Sequence, residues 1–115
     1  MSDSISGQTV SFEDFKKLDL RVARIIEVTE HPDADKLLLL KVDNGSEKKQ
    51  IIAGIKGYYS AETLEGRLIV IVNNLEPVDL RGERSNGMLL AARGIEGAPV
   101  LLVPEGAVSP GSAIS

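Results

Sequence analysis

The 115 residues are one domain's worth of chain, and 43% hydrophobic with 26% charged residues is the composition of a folded globular protein, which excludes an intrinsically disordered chain. Thirteen basic against seventeen acidic residues leave a formal charge of -4, so any anion-binding site must be a local patch. The absence of cysteine excludes a disulfide framework, a thiolate metal cluster and a cysteine nucleophile, and suits a reducing cytoplasm; the apolar run from Leu68 is broken by Asn73 and Asn74, far short of the roughly 18 residues of a membrane span.

Met1 to Val10 are small and polar, without the basic start and apolar segment of a secretory signal, so residues 1–10 are expected to be a disordered tail, as at the start of a free-standing chain. Ser11-Phe12-Glu13-Asp14 places a carboxylate three residues after a hydroxyl, a capping-box pattern that opens a short helix with Phe12, Phe15 and Leu18 on one face. From Leu20 to Val28 the alternation puts Leu20, Val22, Ile26 and Val28 on one side of a strand. His31-Pro32-Asp33-Ala34-Asp35 then breaks regular structure, because Pro32 lacks an amide donor and Asp favours local turn hydrogen bonds.

Lys36 to Asp43 reads as a leucine-rich second strand, and Asp43-Asn44-Gly45-Ser46 tolerates the positive φ of a tight hairpin, so a third strand, about Glu47 to Ile55, returns antiparallel. Ser60 to Leu64 offers an N-cap and a short helix that Gly66 stops. Arg67 to Val72 is a fourth strand, apolar enough for a barrel centre. Pro77 to Gly87 is polar and too long for a hairpin turn, and is expected as an adaptable loop. Met88 to Ala92 is a fifth strand, followed by glycine- and proline-punctuated pieces with a short strand at Val100 to Val103. These elements predict an all-β domain over residues 11–115: a five-stranded OB-fold barrel with short helices and a C-terminal extension of short strands from about residue 95, a fold used for oligonucleotide and oligosaccharide binding.

The words Asp19-Leu20-Arg21-Val22, His31-Pro32-Asp33-Ala34-Asp35-Lys36-Leu37, Ala53-Gly54-Ile55, Gly66-Arg67, Asn74-Leu75-x-Pro77 and Ser85-Asn86-Gly87-Met88-Leu89-Leu90-Ala91-Ala92 follow one another in one order. Together, over Phe12 to the C-terminus, they resemble the tRNA-binding domain of the methionyl-tRNA synthetase C-terminus, which also occurs as a free-standing structure-specific tRNA-binding protein, with related copies in phenylalanyl-tRNA synthetase β chains and a secretion chaperone. The resemblance implies a non-catalytic, cofactor-free module that binds the outside corner or stem of tRNA by shape, is usually a homodimer, and supports a methionyl-tRNA synthetase catalytic chain or acts alone. It also implies that the tail from Pro99 supplies the dimer interface, with Val100, Leu101, Leu102, Val103 and Ile114 as its apolar residues; completing the monomer core is the alternative use of the same side chains.

All thirteen basic residues lie between Lys16 and Arg93. Lys36 matches the family's lysine at the start of the second strand, where it meets either a phosphate or the neighbouring Asp33 or Asp35. Lys56, flanked by Gly54 and Gly57, can project from the barrel end on permissive backbone. Arg81 and Arg84 lie in the loop that OB-folds use for ligands, but Glu76, Asp79 and Glu83 leave the stretch from Glu76 to Arg84 net negative by one, where many family members carry lysine. Ser85 and Met88 complete the tRNA-binding candidates, with a core position in the fifth strand as the alternative for Met88. Of Tyr58 and Tyr59, one is expected to plug the barrel and the other to cover the helix, so phosphate and shape recognition are expected rather than base readout.

An enzyme would have to be built on the lone His31 with Asp33 and Asp35, too few ligands for a metal centre, and no phosphate loop or nucleophile elbow is present. Neither catalysis nor a metal is expected. The competing function is a dimeric protein-binding module, chaperone-like or an assembly domain of a synthetase complex. The acidic balance favours it, while the His31 to Leu37 and Ser85 to Met88 words favour tRNA.

Overall fold

The computed structural model describes residues 8–115, so the expected disordered tail lies, but for its last three residues, outside the described residues. Ser11 caps α1 (Phe12–Phe15), its Oγ accepting the Asp14 N–H at 3.0 Å, and the shared face of Phe12, Phe15 and Leu18 is exposed. β1 (Leu20–Glu30) has two long antiparallel partners, β4 (Leu68–Val72) along Leu20 to Arg24 and β2 (Leu38–Asp43) along Arg24 to Glu30. β3 (Lys48–Ala53) pairs with β2 across the Asp43 to Ser46 turn. In that turn Asp43 and Asn44 side chains accept the N–H groups of Gly45, Ser46 and Glu47, the local bonding that makes Asx residues turn formers.

The sheet order β3-β2-β1-β4-β7, with β7 (Met88–Leu89) beside β4, nearly closes a five-stranded barrel of the expected OB type. Hydrogen bonds from the chain just before β7 complete the circuit: Asn86 N–H donates to the Gln50 carbonyl at 2.8 Å, and Ser85 Oγ accepts the Ile52 N–H at 3.0 Å. Ile25, Leu40, Val42, Ile51, Ile69 and Ile71 fill the interior, joined by Leu64 from α2 (Ala61–Leu64). Truncating such a fully buried leucine to alanine costs about 2–5 kcal/mol. Ser60 and Thr63 form the capping box of α2, as the Ser60 N-cap predicts.

The structure departs from the sequence expectation at four places. A bulge between Ile25 and Glu27 re-phases β1, so that Ala23 and Ile25 before it and Val28 after it all face the interior while Ile26 faces out; Val22, on the opposite face from Ala23, is buried outside that core where the C-terminal segment at Gly111 and Ser112 bonds to it. Glu65 covers the break by accepting the Val28 N–H at 3.1 Å. The segment expected as a loop is a hairpin of β5 (Val78–Leu80) and β6 (Glu83–Ser85), turned through Arg81 at φ 52° and Gly82 at φ 91°. The expected fifth strand is two: β7 stays in the barrel, while β8 (Ala91–Arg93) leaves it to pair with β9 (Pro99–Leu101). Finally, β10 (Ala113–Ile114) returns to pair with Leu20 and Arg21 of β1.

These last pairings fix the surroundings of two of the residues expected at the interface. Leu101 is only 6% exposed and belongs to the monomer core, and Ile114 is half-buried and completes the sheet beside Leu20. Val100, Leu102 and Val103 remain exposed.

Candidate nucleic-acid interface

The end of β1, the turn after it and the β5–β6 hairpin are held together by one imidazole. His31 is buried; its Nδ1 accepts the Asp33 N–H at 2.9 Å and its Nε2 lies 2.8 Å from the Leu80 carbonyl, an arrangement that requires the proton on Nε2. The metal or acid–base reading of His31 is thereby replaced by a structural one. Next along the hairpin, Arg81 donates from Nη1 to the Asp33 carbonyl at 3.1 Å, which brings its guanidinium over the same turn.

Arg81 and Lys36 line one hollow of about 420 Å³ together with Asp33 and Asp35. Lys36 also borders a second, of about 360 Å³, with Lys56 and Tyr58. Gly54 and Tyr58 then border a third, of about 430 Å³, that ends at Arg93. The three hollows adjoin, the first two sharing Lys36 and the last two Gly54 and Tyr58, and along this groove the cations run Arg81, Lys36, Lys56, Arg93. The backbone supports the middle of it, since Lys56 N–H donates to the Lys36 carbonyl at 3.3 Å and so links the segment after β3 to the end of the turn before β2. Glu30 holds Lys56 Nζ at 3.1 Å, and with Asp33 and Asp35 it sets three carboxylates against four cations. The groove is therefore positive by a small margin.

Lys36, Lys56 and Arg81, separated in sequence, are thus brought together. Arg84 is not: it lies outside the groove, 3.5 Å from Asp79 across the hairpin. Ser85, expected in a loop, sits on β6 at 3% exposure, its hydroxyl accepting from Ile52 N–H and donating to the Gly87 carbonyl at 3.1 Å, so it closes the barrel. Met88 is 45% exposed rather than a core residue, but borders none of the three hollows. Tyr58, expected to pack, is 59% exposed on the groove, whereas Tyr59 packs against the core. Arg93 was not singled out by the sequence; its only signal was its place as the last basic residue, directly after the Ala91-Ala92 word.

The opposite end of β1 is a purely structural network. Asn73 Nδ2 donates to Asp19 Oδ2 at 2.9 Å, Asn44 Nδ2 donates to Asn73 Oδ1 at 2.9 Å, and Asn74 bridges Asp19 N–H and the Lys17 carbonyl. The Asn73 hydrogen bond, with Arg21 alongside, holds the Asp19 carboxyl below the ordinary carboxylate range despite partial burial. The Asp19 and Asn74 words of the sequence are explained by this latch.

The tRNA binding domain family matches residues 20–113 of the chain, the barrel together with most of its extension. The chain belongs to the tRNA-binding domain family. It is 53% identical over 105 residues to the methionine–tRNA ligase of Thermococcus onnurineus, an alignment that covers 91% of this chain and 14% of that one. The corresponding ligase of Nitrosomonas eutropha is 50% identical over 105 residues, 91% of this chain and 15% of its own length. The chain thus spans about one-seventh of the ligases it matches. Among solved structures, a MetRS-related protein from Pyrococcus horikoshii superposes with a TM-score of 0.87 at 29% identity, covering 94% of this chain and 99% of that one. The chaperone CsaA of Bacillus anthracis superposes at 0.84 with 34% identity, covering 94% and 100%. The tRNA-binding domain fold therefore extends through the C-terminal strands, not only the barrel.

Proposed function

We propose that this domain binds tRNA without catalysing a reaction, using the groove from Arg81 through Lys36 and Lys56 to Arg93 to follow the phosphate backbone. The observation that carries the proposal is the convergence of these four cations along one groove in a chain of net charge -4. Arginine and lysine placed this way contact phosphates and fix orientation without reading bases, as shape recognition of a folded RNA requires. The family membership and the methionine–tRNA ligase relatives support tRNA as the ligand, a methionyl-tRNA synthetase catalytic chain as the functional partner and the cytoplasm as the compartment. In this proposal Val100 on β9 and Leu102 and Val103 just after it, all exposed, form the centre of a homodimer interface.

The test is fluorescence anisotropy with mixed tRNA and a single-stranded control at about 50 and about 200 mM salt. With about four neutralised phosphates, log K should fall with log salt at a slope of roughly -3 to -4. A second reading, a dimeric protein-binding module, is supported by the similarity to chaperone CsaA along its whole length. Absence of tRNA binding at low salt, with capture of an apolar peptide that is insensitive to salt, decides for it.

A further inference from the structure

We infer that the hollow between the end of β1 and the start of α2 takes a single unpaired nucleobase, cytosine or adenine in preference to uracil. The inference rests on the phosphate role proposed for Lys56, which borders this hollow and the middle of the groove alike. A nucleotide needs that juxtaposition, with the base enclosed on one side of a cation and the phosphate open to the other.

The hollow measures about 270 Å³, just below the roughly 300–1,000 Å³ of clefts for drug-sized ligands, a size suited to one ring system. Val28 and Leu38, both buried, and Ala61 give it apolar walls. Tyr59 adds an aromatic wall that is already fixed: its hydroxyl donates to the Pro99 carbonyl at 3.1 Å and accepts the Leu101 N–H at 3.3 Å. A flat base meeting that wall gains stacking without first ordering the ring. The Ser60 hydroxyl, also on the lining, is committed to the cap of α2, which leaves Thr29, Glu30 and the Lys56 ammonium paired with Glu30 as the polar groups of the lining.

Glu30 sets the base preference. One of its oxygens meets Lys56 Nζ, but a carboxylate has acceptor capacity for several donors. It accepts a hydrogen bond from the exocyclic amine of cytosine or adenine, while the carbonyl that uracil carries at the same position repels it.

The experiment is an NMR titration of the isotope-labelled full chain with CMP, AMP and UMP at low salt, alongside tRNA binding by anisotropy, on the wild type, Ala61→Leu and Thr29→Phe. The two substitutions fill the hollow from opposite sides and leave every groove cation in place. CMP and AMP should shift Thr29, Leu38 and Ala61, with UMP weaker. Both variants should lose these shifts and bind tRNA about tenfold more weakly with the salt slope unchanged. Should Ala61→Leu not fold, Thr29→Phe, at an exposed strand position, carries the same readout. Equal shifts from UMP, or variants that bind CMP and tRNA as the wild type does, overturn the base site while salt-dependent tRNA binding still stands. CMP shifts at these residues in a chain that binds no tRNA overturn the tRNA proposal and keep the base site. An apolar peptide that displaces CMP from these residues makes the hollow a peptide site and overturns the inference.

Discussion

His31 and Leu80, 49 residues apart in the chain, are joined by a 2.8 Å contact between the imidazole Nε2 and a main-chain carbonyl, and this contact docks the β5–β6 hairpin on the turn that precedes β2. Arg81 follows Leu80 directly, so the imidazole positions a groove cation it does not touch. His31→Ala should lower tRNA affinity several-fold and erase the further effect of Arg81→Ala. A double-mutant cycle reads this directly, since coupled residues depart from additivity by about 0.5–3 kcal/mol. Additive effects would show that Arg81 keeps its place without His31.

Lys36→Glu and Lys56→Glu should each weaken tRNA binding and reduce the salt slope by about one, without lowering the melting temperature. Arg84→Glu, whose side chain pairs with Asp79 away from the groove, should have a distinctly smaller effect. Anisotropy over a salt series separates the three. Equal losses at all three positions would mean that general charge, and not the groove, governs binding.

Glu30 is an internal competitor for the phosphate that Lys56 would meet. Removing its charge while keeping an acceptor, as Glu30→Gln does, should tighten tRNA binding about two- to fivefold, in line with the ~0.2–1 kcal/mol of exposed ion pairs. Unchanged affinity across the salt series would indicate that the pair persists or is irrelevant in the complex.

Gly45 and Gly111 meet where the C-terminal extension crosses the β2–β3 turn. A Cβ on Gly45 would lie 2.7 Å from Gly111 Cα, one on Gly111 would lie 2.7 Å from the Asn44 carbonyl oxygen, and both residues have positive φ, 96° and 93°. Alanine at either site should cost about 1–3 kcal/mol from backbone strain alone, with the backbone contact added to it. Denaturant melts test this, and a loss at Gly57→Ala confined to the strain component, since nothing lies within 4 Å of its Cβ, serves as the control.

Asp19 gives the fold an acid-sensitive joint. Its folded carboxyl titrates below its ordinary value of 3.8, because Asn73 and Arg21 favour the charged form. The corresponding stability is present above the unfolded value and is lost as pH falls through the folded one. Asp19→Asn should therefore melt lower than the wild type at neutral pH, with the gap closing as pH falls below 3.8 and through the lowered folded-state value. A gap that does not change with pH would assign the loss to hydrogen-bond geometry and not to charge.

The features legible in the order of residues are those that a few neighbours settle among themselves. The Asp43 to Ser46 turn, the Ser11 and Ser60 caps, and the β2, β3 and β4 strands were legible because side chain and backbone bond within three or four positions, or because alternation matches the pleat. The ordered motif words likewise carried the family. Tertiary structure alone decided what depends on distant surfaces. The bulge that brings Val28 to the interior lies where β1 passes from its pairing with β4 to its pairing with β2, and the hairpin at Val78 to Ser85 formed where His31 holds Leu80 and Gln50 holds the Arg84 carbonyl. Ser85 and Leu101 went inward because the Ile52 N–H and the core were there to receive them, and Ile114 became half-buried by pairing beside Leu20. The approach of Arg81 to Lys36, and of Tyr58 to Arg93, follows from barrel closure, which no local pattern encodes because each contact joins segments whose separation along the chain only the whole fold removes.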